Sequence, residues 1–237
     1  MTVDPARRET SETASVVADA ATTEGTARGS ALWPYWIVRN LAVGFSRLYF
    51  RVSYEGLDFV PKAGAFILAP VHRSNVDTLV VAGVTKRRMR FLGKAAMWKF
   101  RLSAAFFDAM GGIKVNRGTT DRESMRACVD TLAAGEPVVV YPEGRRQSGP
   151  VVQEIFDGAA YMAAKVGVPI IPVAIGGSER AMGTNHKFPR PAKIHVIVGP
   201  PIVVSVTRSR REQHELSARL YTELQRLFDH AQATATQ

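Results

Sequence analysis

A histidine and an aspartate stand five positions apart in the run HRSNVD, which occupies residues 72–77. An aspartate that accepts a hydrogen bond from one ring nitrogen of a histidine fixes the imidazole tautomer, and the other nitrogen is then free to take a proton from a hydroxyl group. On a continuous helix, however, five positions separate two side chains by about 140°. His72 and Asp77 can therefore pair only across an irregular turn or the start of a helix, and such a pair alone is more often structural than catalytic.

A second polar run, YPEGRR, occupies residues 141–146 and offers an anion site. The two adjacent guanidinium groups of Arg145 and Arg146 suit a phosphate monoester, and Gly144 permits close approach of the backbone. Arg117 ends a glycine-bounded strand pattern and is a further candidate cation. For each of these arginines the alternative is an ordinary solvated basic loop.

The elements that must position these residues alternate along the chain. Short apolar runs at 65–69, 90–93, 138–141, 169–175 and 193–198 predict strands. Helical patterns lie at 78–84, from a capping box at 120–123 to Gly135, at 155–165, and from a second capping box at 209–212. This alternation predicts an α/β domain with a largely parallel or mixed sheet flanked by helices. Because ligands collect at the carboxyl ends of such strands, the two polar runs should meet in one site.

Two segments precede this domain, to which we assign residues 52–237. Residues 1–30 contain few large apolar side chains and are predicted to form a disordered tail. Residues 31–51 follow an amphipathic helical pattern whose polar arc includes Arg39 and Arg47, so the apolar run is shorter than the roughly 20 residues of a bilayer span. The apolar arc comprises Ile37, Val38, Leu41, Phe45, Leu48 and Tyr49. Its aromatic start and cationic arc favour a helix in the membrane interface, and the alternative is a helix packed on the domain core.

Composition narrows the choice of partners. Lys and Arg total 31 against 21 Asp and Glu, a net charge of +10, so the surface should attract phosphates, nucleic acid or anionic lipid. Between Asp77 and Asp108 there is no acidic residue, and cations alternate with aromatic side chains, as on a surface for anionic membrane or a phosphorylated acyl carrier. No recognised motif supports nucleic acid. The lone Cys128 excludes an internal disulfide framework and cysteine-cluster metal sites, and the first 30 residues lack a signal-peptide core, which favours the cytosolic compartment.

Four runs in fixed order resemble the glycerolipid acyltransferase family, specifically the 1-acylglycerol-3-phosphate acyltransferases with their HXXXXD motif. The runs are HRSNVD at 72–77, GGIKVNR at 111–117, YPEGRR at 141–146 and VPIIPV at 168–173. One such run would be weak evidence, whereas four in order over about 110 residues are specific. The resemblance implies a glycerol-3-phosphate acyltransferase-like α/β fold.

The resemblance also implies a mechanism in which His72 deprotonates the acceptor hydroxyl and Asp77 orients His72. The hydroxyl then attacks an acyl thioester directly, without a metal, a cofactor or a covalent intermediate. The predicted substrate-binding residues are Arg117, Glu143, Gly144, Arg145, Arg146, Ser74 and Lys94. The expected partners are acyl-CoA or an acyl carrier protein, lysophosphatidate or glycerol 3-phosphate, and an anionic membrane at the cytoplasmic face of the plasma membrane.

Departures from the family pattern leave the acceptor open. Val71 stands where the family usually has Asn, Lys114 replaces an aromatic residue, and Arg145 replaces a common Thr. Glycerol 3-phosphate or another lysophospholipid is therefore the runner-up acceptor. A different class of function is a non-enzymatic basic module that binds anionic lipid or nucleic acid.

Overall fold

The computed structural model describes residues 33–115, 122–184, 186 and 188–236, so the predicted tail at 1–30 lies outside the described residues. The α-helices are α1 (Trp33–Tyr49), α2 (Asp77–Val81), α3 (Arg101–Ala109), α4 (Arg122–Ala133), α5 (Gly158–Val166), α6 (Ser178–Met182) and α7 (Arg210–Thr236). The strands are β1 (Ser53–Glu55), β2 (Ile67–Pro70), β3 (Arg90–Lys94), β4 (Gly112–Val115), β5 (Val138–Val139), β6 (Ile170–Gly176) and β7 (His195–Val198). Short 3-10 helices cover Leu57–Phe59 and Ala95–Trp98.

All seven strands form one sheet in the order β1-β7-β6-β2-β5-β3-β4. The five strands from β6 to β4 run parallel, β7 is antiparallel to β6, and β1 is parallel to β7. This arrangement confirms the predicted α/β class with its largely parallel or mixed sheet. Every residue of β2 and β6 is buried, as expected for central strands covered by helices on both faces.

The long helix α7 covers β6 and β7 and supplies one side of the core. Its buried residues recur every three or four positions and include Leu216, Leu220, Leu224, Leu227 and Ala231. At its start, the Glu212 N–H donates to Ser209 Oγ at 3.3 Å, which is one half of the predicted capping box. The predicted helix at 155–165 begins later, at Gly158, and ends as expected at Gly167 in the left-handed conformation.

Helix α1 packs on α2, and most of its apolar arc is exposed. Tyr35 and Ser46 are its buried residues. The exposed side carries Trp33, Ile37, Leu41, Phe45 and Leu48, at helical spacing. We call these five residues the α1 stripe. Within the described part of the chain, no helix combines the length and the apolar character that a bilayer crossing requires.

Candidate active site

The turn between β2 and α2 brings His72 and Asp77 together. Strand β2 ends at Pro70, and Asp77 is the first residue of α2, so the intervening residues form an irregular connection. His72 Nδ1 lies 2.9 Å from Asp77 Oδ2. His72 and Asp77 therefore pair across an irregular turn, as their five-residue spacing requires.

Asp77 fixes the imidazole because it is buried and acts as a triple acceptor. Its Oδ2 accepts the Arg73 and Ser74 backbone N–H groups, each at 2.7 Å, in addition to the hydrogen bond from His72. Because Oδ2 already accepts from two backbone N–H groups, it acts as an acceptor toward the ring as well, so the neutral imidazole paired with it carries its hydrogen on Nδ1 and its lone pair on Nε2. The His72 side chain keeps 18% of its surface exposed, and among the described residues Nε2 has no hydrogen-bond partner. A basic nitrogen is thus held at the surface in a fixed orientation.

Tyr141, two residues after β5, packs against the face of the imidazole. Its ring stacks on His72 with 4.1 Å between ring centroids and 26° between planes. Burial raises the pKa of the Tyr141 hydroxyl, and the nearby Asp77 carboxylate raises it further. The phenol therefore stays neutral, and it pairs with Thr78 Oγ1 at 3.3 Å.

Glu143 joins the two polar runs, although its role differs from the predicted one. It is 1% exposed, and its oxygens accept Nη1 of Arg73 at 2.8 Å, the His72 backbone N–H at 3.0 Å and the Gln153 N–H at 3.0 Å. These bonds leave Glu143 facing the protein interior. The structure thus places it as a clamp on the backbone of His72, and not at a surface where it could touch a substrate.

Arg73 is the partner that sequence reasoning missed. Its guanidinium is 1% exposed, lies 4.9 Å from the Phe228 ring of α7, and donates to the carbonyl oxygens of Val151 at 3.0 Å and Gly149 at 3.3 Å. Together with the Glu143 bonds, these contacts tie the turn between β2 and α2 to three other parts of the chain. The sequence offered only an arginine inside a polar run, because its burial, and with it the need for a charged partner, becomes visible only in the fold.

Ser74 and Gly144 also shape the two loops. Ser74 is fully buried, donates from Oγ to the Met182 carbonyl at 2.7 Å and accepts the Val76 N–H, so it holds the turn and does not face a ligand, contrary to the prediction. Gly144 adopts φ 66°, and an added Cβ would lie 2.9 Å from Phe156. Glycine is needed there for both reasons.

The predicted phosphate-binding cations fall into two groups. Arg145 is exposed and Arg146 half-buried, and in the described part of the chain neither guanidinium has a carboxylate partner. The N–H of Gln147, next along the chain, donates to the His72 carbonyl at 2.8 Å, so this loop borders the His72 turn. Arg117 and the side chain of Lys94 lie outside the described residues. Among the residues that are described, no three His, Cys, Asp or Glu side chains cluster as metal ligands would.

Residues 51–176, just over half of the chain, match the protein family described as Acyltransferase. The chain therefore belongs to the acyltransferase family, as the four ordered runs predicted. The fold agrees: a crystal structure of the 1-acyl-sn-glycerophosphate acyltransferase from Thermotoga maritima superposes with a TM-score of 0.68, at 20% identity, over 91% of this chain and 87% of that one.

The curated relatives are named for one reaction. A chloroplastic 1-acyl-sn-glycerol-3-phosphate acyltransferase of Arabidopsis thaliana is 23% identical over 65% of this chain and 44% of its own length. The enzymes of that name from Chlamydomonas reinhardtii and Bacillus subtilis are 28% and 22% identical, over 68% and 60% of this chain and 50% and 69% of their own lengths. The chain thus spans about half the length of the plant and algal relatives.

Proposed function

We propose that this protein transfers a fatty acyl group from an acyl thioester to the free hydroxyl of 1-acylglycerol 3-phosphate, which makes phosphatidic acid. The observation that carries the proposal is the imidazole of His72, which is oriented through Nδ1 by a buried carboxylate and is unpartnered at Nε2 among the described residues. That arrangement suits a base that removes a proton from an alcohol.

The reaction needs no covalent enzyme intermediate, because the thioester is already activated. Nε2 of His72 takes the hydroxyl proton as the acceptor oxygen attacks the thioester carbonyl carbon. Asp77 stabilises the imidazolium that forms. The tetrahedral intermediate then expels the thiolate, the carbon–sulfur bond breaks, and the imidazolium returns its proton to sulfur, so the products are an ester and a free thiol. Acyl-CoA and acyl carrier protein both supply such a thioester.

The acceptor phosphate requires cations near His72, and the YPEGRR loop supplies them. Arg145 and Arg146 have no carboxylate partner in the described ranges, so their charge is available to an anion. The proposed phosphate-binding site also includes Gly144 and Arg117. The role of Arg117 is implied by the family resemblance. The curated relatives are all named 1-acyl-sn-glycerol-3-phosphate acyltransferases, which supports lysophosphatidate as the acceptor.

Membrane contact through α1 is a second part of the proposal. A lysophospholipid resides in a bilayer, and the α1 stripe exposes Trp33, Leu41 and Leu48 by 65%, 68% and 85%. A helix with such a face lies in the membrane interface with its apolar side in the acyl boundary. We therefore propose that α1 rests on an anionic leaflet, for which the cytoplasmic face of the plasma membrane is the expected site.

A thiol-release assay tests the reaction and its acceptor. Purified protein is given acyl-CoA with lysophosphatidate, glycerol 3-phosphate or a neutral lysolipid, and free thiol and lipid product are measured. We expect release with lysophosphatidate above all other acceptors, and an increase in the acceptor KM in Arg146→Ala. Equal rates with the neutral lysolipid would contradict phosphate recognition.

A further inference from the structure

A cavity of about 440 Å³ lies between α1 and the segment that follows α2. Its lining consists of Arg39, Asn40, Val43, Gly44, Arg47, Leu57, Gly83, Val84, Thr85 and Lys86. Three of these ten residues are cations and none is acidic. We call this space the α1 cavity, and nothing in the proposed reaction uses it.

The cations around the α1 cavity lack counter-charges. Arg39 donates to the Thr85 carbonyl from Nε and Nη2 at 3.1 and 2.6 Å, and Arg47 lies 5.7 Å from the centre of the Tyr54 ring. Burial raises the pKa of Tyr54 to about 12, so the phenol is neutral and offsets no charge. In the described part of the chain, Arg47 and Lys86 form no salt bridge. An anion in the cavity would relieve the mutual repulsion of these groups.

The α1 cavity is open and has an apolar rim on both sides. A Cβ added at Gly44 would meet nothing within 4 Å, so the helix presents bare backbone to free space. The α1 stripe runs along the neighbouring flank of the helix, and Leu57, which lines the cavity from outside α1, is 38% exposed. An anion that carries hydrocarbon chains would match both the cations and the rim, whereas a free anion would use only the cations.

The α1 cavity is separate from the reaction centre. Asp77 begins α2, while Gly83 to Lys86 follow its end, so the five-residue helix, about 7.5 Å long, stands between them. We propose that the α1 cavity binds the phosphate-bearing headgroup of an anionic membrane phospholipid that is not the acceptor. This inference rests on the proposed contact of α1 with a membrane, and it would make docking selective for anionic bilayers.

Vesicle binding of three variants tests the headgroup site. Gly44→Phe fills the cavity and keeps every charge, and Arg47→Gln with Lys86→Gln removes two lining cations. The matched control, Arg208→Gln with Arg210→Gln, removes two exposed cations elsewhere. Each full-length protein is sedimented with vesicles of phosphatidylcholine alone or mixed with phosphatidylglycerol, and thermal unfolding verifies folding.

We expect the double cavity variant to lose about 30-fold in affinity for the anionic vesicles, as two cations at such a surface imply. Gly44→Phe should lose the anionic preference as well, while it still binds neutral vesicles. The control pair should retain the preference.

Several outcomes would overturn the headgroup site. An undiminished anionic preference in Gly44→Phe would mean that surface charge alone attracts the membrane. Saturation of the cavity by inorganic phosphate with no loss of binding to anionic vesicles would assign the cavity to a free anion. Equal binding of wild type to both vesicles would remove the headgroup site but keep the α1 contact, whereas no binding to either vesicle would remove both.

Discussion

Replacing Glu143 with glutamine should destabilise the fold, because it leaves the guanidinium of Arg73 buried without a counter-charge. Both residues are 1% exposed, and Nη1 of Arg73 lies 2.8 Å from each carboxylate oxygen. Removal of one partner from a buried ion pair costs about 3–5 kcal/mol. For a protein of this size each kcal/mol lowers the unfolding midpoint by roughly 2–4 °C, so we expect a decrease of about 6–20 °C.

Two comparisons separate this effect from a general loss of charge. Glu215→Gln breaks the Arg211–Glu215 pair, which has a similar distance of 2.9 Å but exposed side chains, so it should leave the unfolding midpoint nearly unchanged. The double variant Arg73→Met with Glu143→Leu removes both buried charges and should recover part of the stability, since the His72 and Gln153 N–H groups still lose their acceptor. It should still transfer acyl groups about 100-fold more slowly, since the His72 N–H loses its acceptor and the imidazole shifts.

The measurements are thermal unfolding and acyl transfer at a temperature where every variant is folded. If Glu143→Gln unfolds within the range of Glu215→Gln, the buried pair does not stabilise the fold as argued. If the double variant regains both stability and rate, the clamp of Glu143 on the His72 backbone is unimportant for catalysis.

Substitutions at three further positions test the site. Asp77→Asn should lower kcat by roughly 10⁴-fold because the tautomer of the imidazole is no longer fixed, and a kcat within tenfold of wild type would remove Asp77 from the mechanism. Tyr141→Phe keeps the stacked ring and should stay within about threefold of wild type in kcat, whereas Tyr141→Leu should lose about tenfold; equal rates would contradict support by the ring. Gly144→Ala combines a strained φ with a clash against Phe156 and should cost about 2–3 kcal/mol in unfolding free energy, more than Gly135→Ala, where an added Cβ meets nothing within 4 Å.

Local patterns were sufficient to predict most of the sheet. Each of the five apolar runs overlaps a strand, because central strands of such sheets are continuous hydrophobic segments. Strand β1 was not predicted, because it has only three residues and its two end residues are exposed, so it shows no apolar run. Four residues of the predicted apolar arc of α1 are exposed, whereas Val38 and Tyr49 are half-buried, and Arg39 of the polar arc donates to the domain at Thr85.

The sequence predicted that the two polar runs meet, and the structure brings them together through Arg73, His72 and Glu143, but the sequence did not predict which residues make the contacts. The spacing of His72 and Asp77 could not decide between pairing and separation, because the answer depends on the irregular turn after β2. Arg73 and Glu143 stand 70 positions apart, and Phe228 joins them from α7, so their contact is a product of tertiary packing. A carboxylate in a predicted phosphate site was nevertheless a signal, since a buried Glu requires a cationic partner.

The central claim is that the imidazole of His72 removes the proton from the acceptor hydroxyl. Its most direct test is thiol release from acyl-CoA in the presence of lysophosphatidate, with wild type and His72→Ala compared at equal vesicle binding and equal unfolding midpoint. We predict that the variant forms no phosphatidic acid above background while wild type forms it with one thiol released per ester. A variant that retains a near-normal rate would contradict the assignment of His72 as the base.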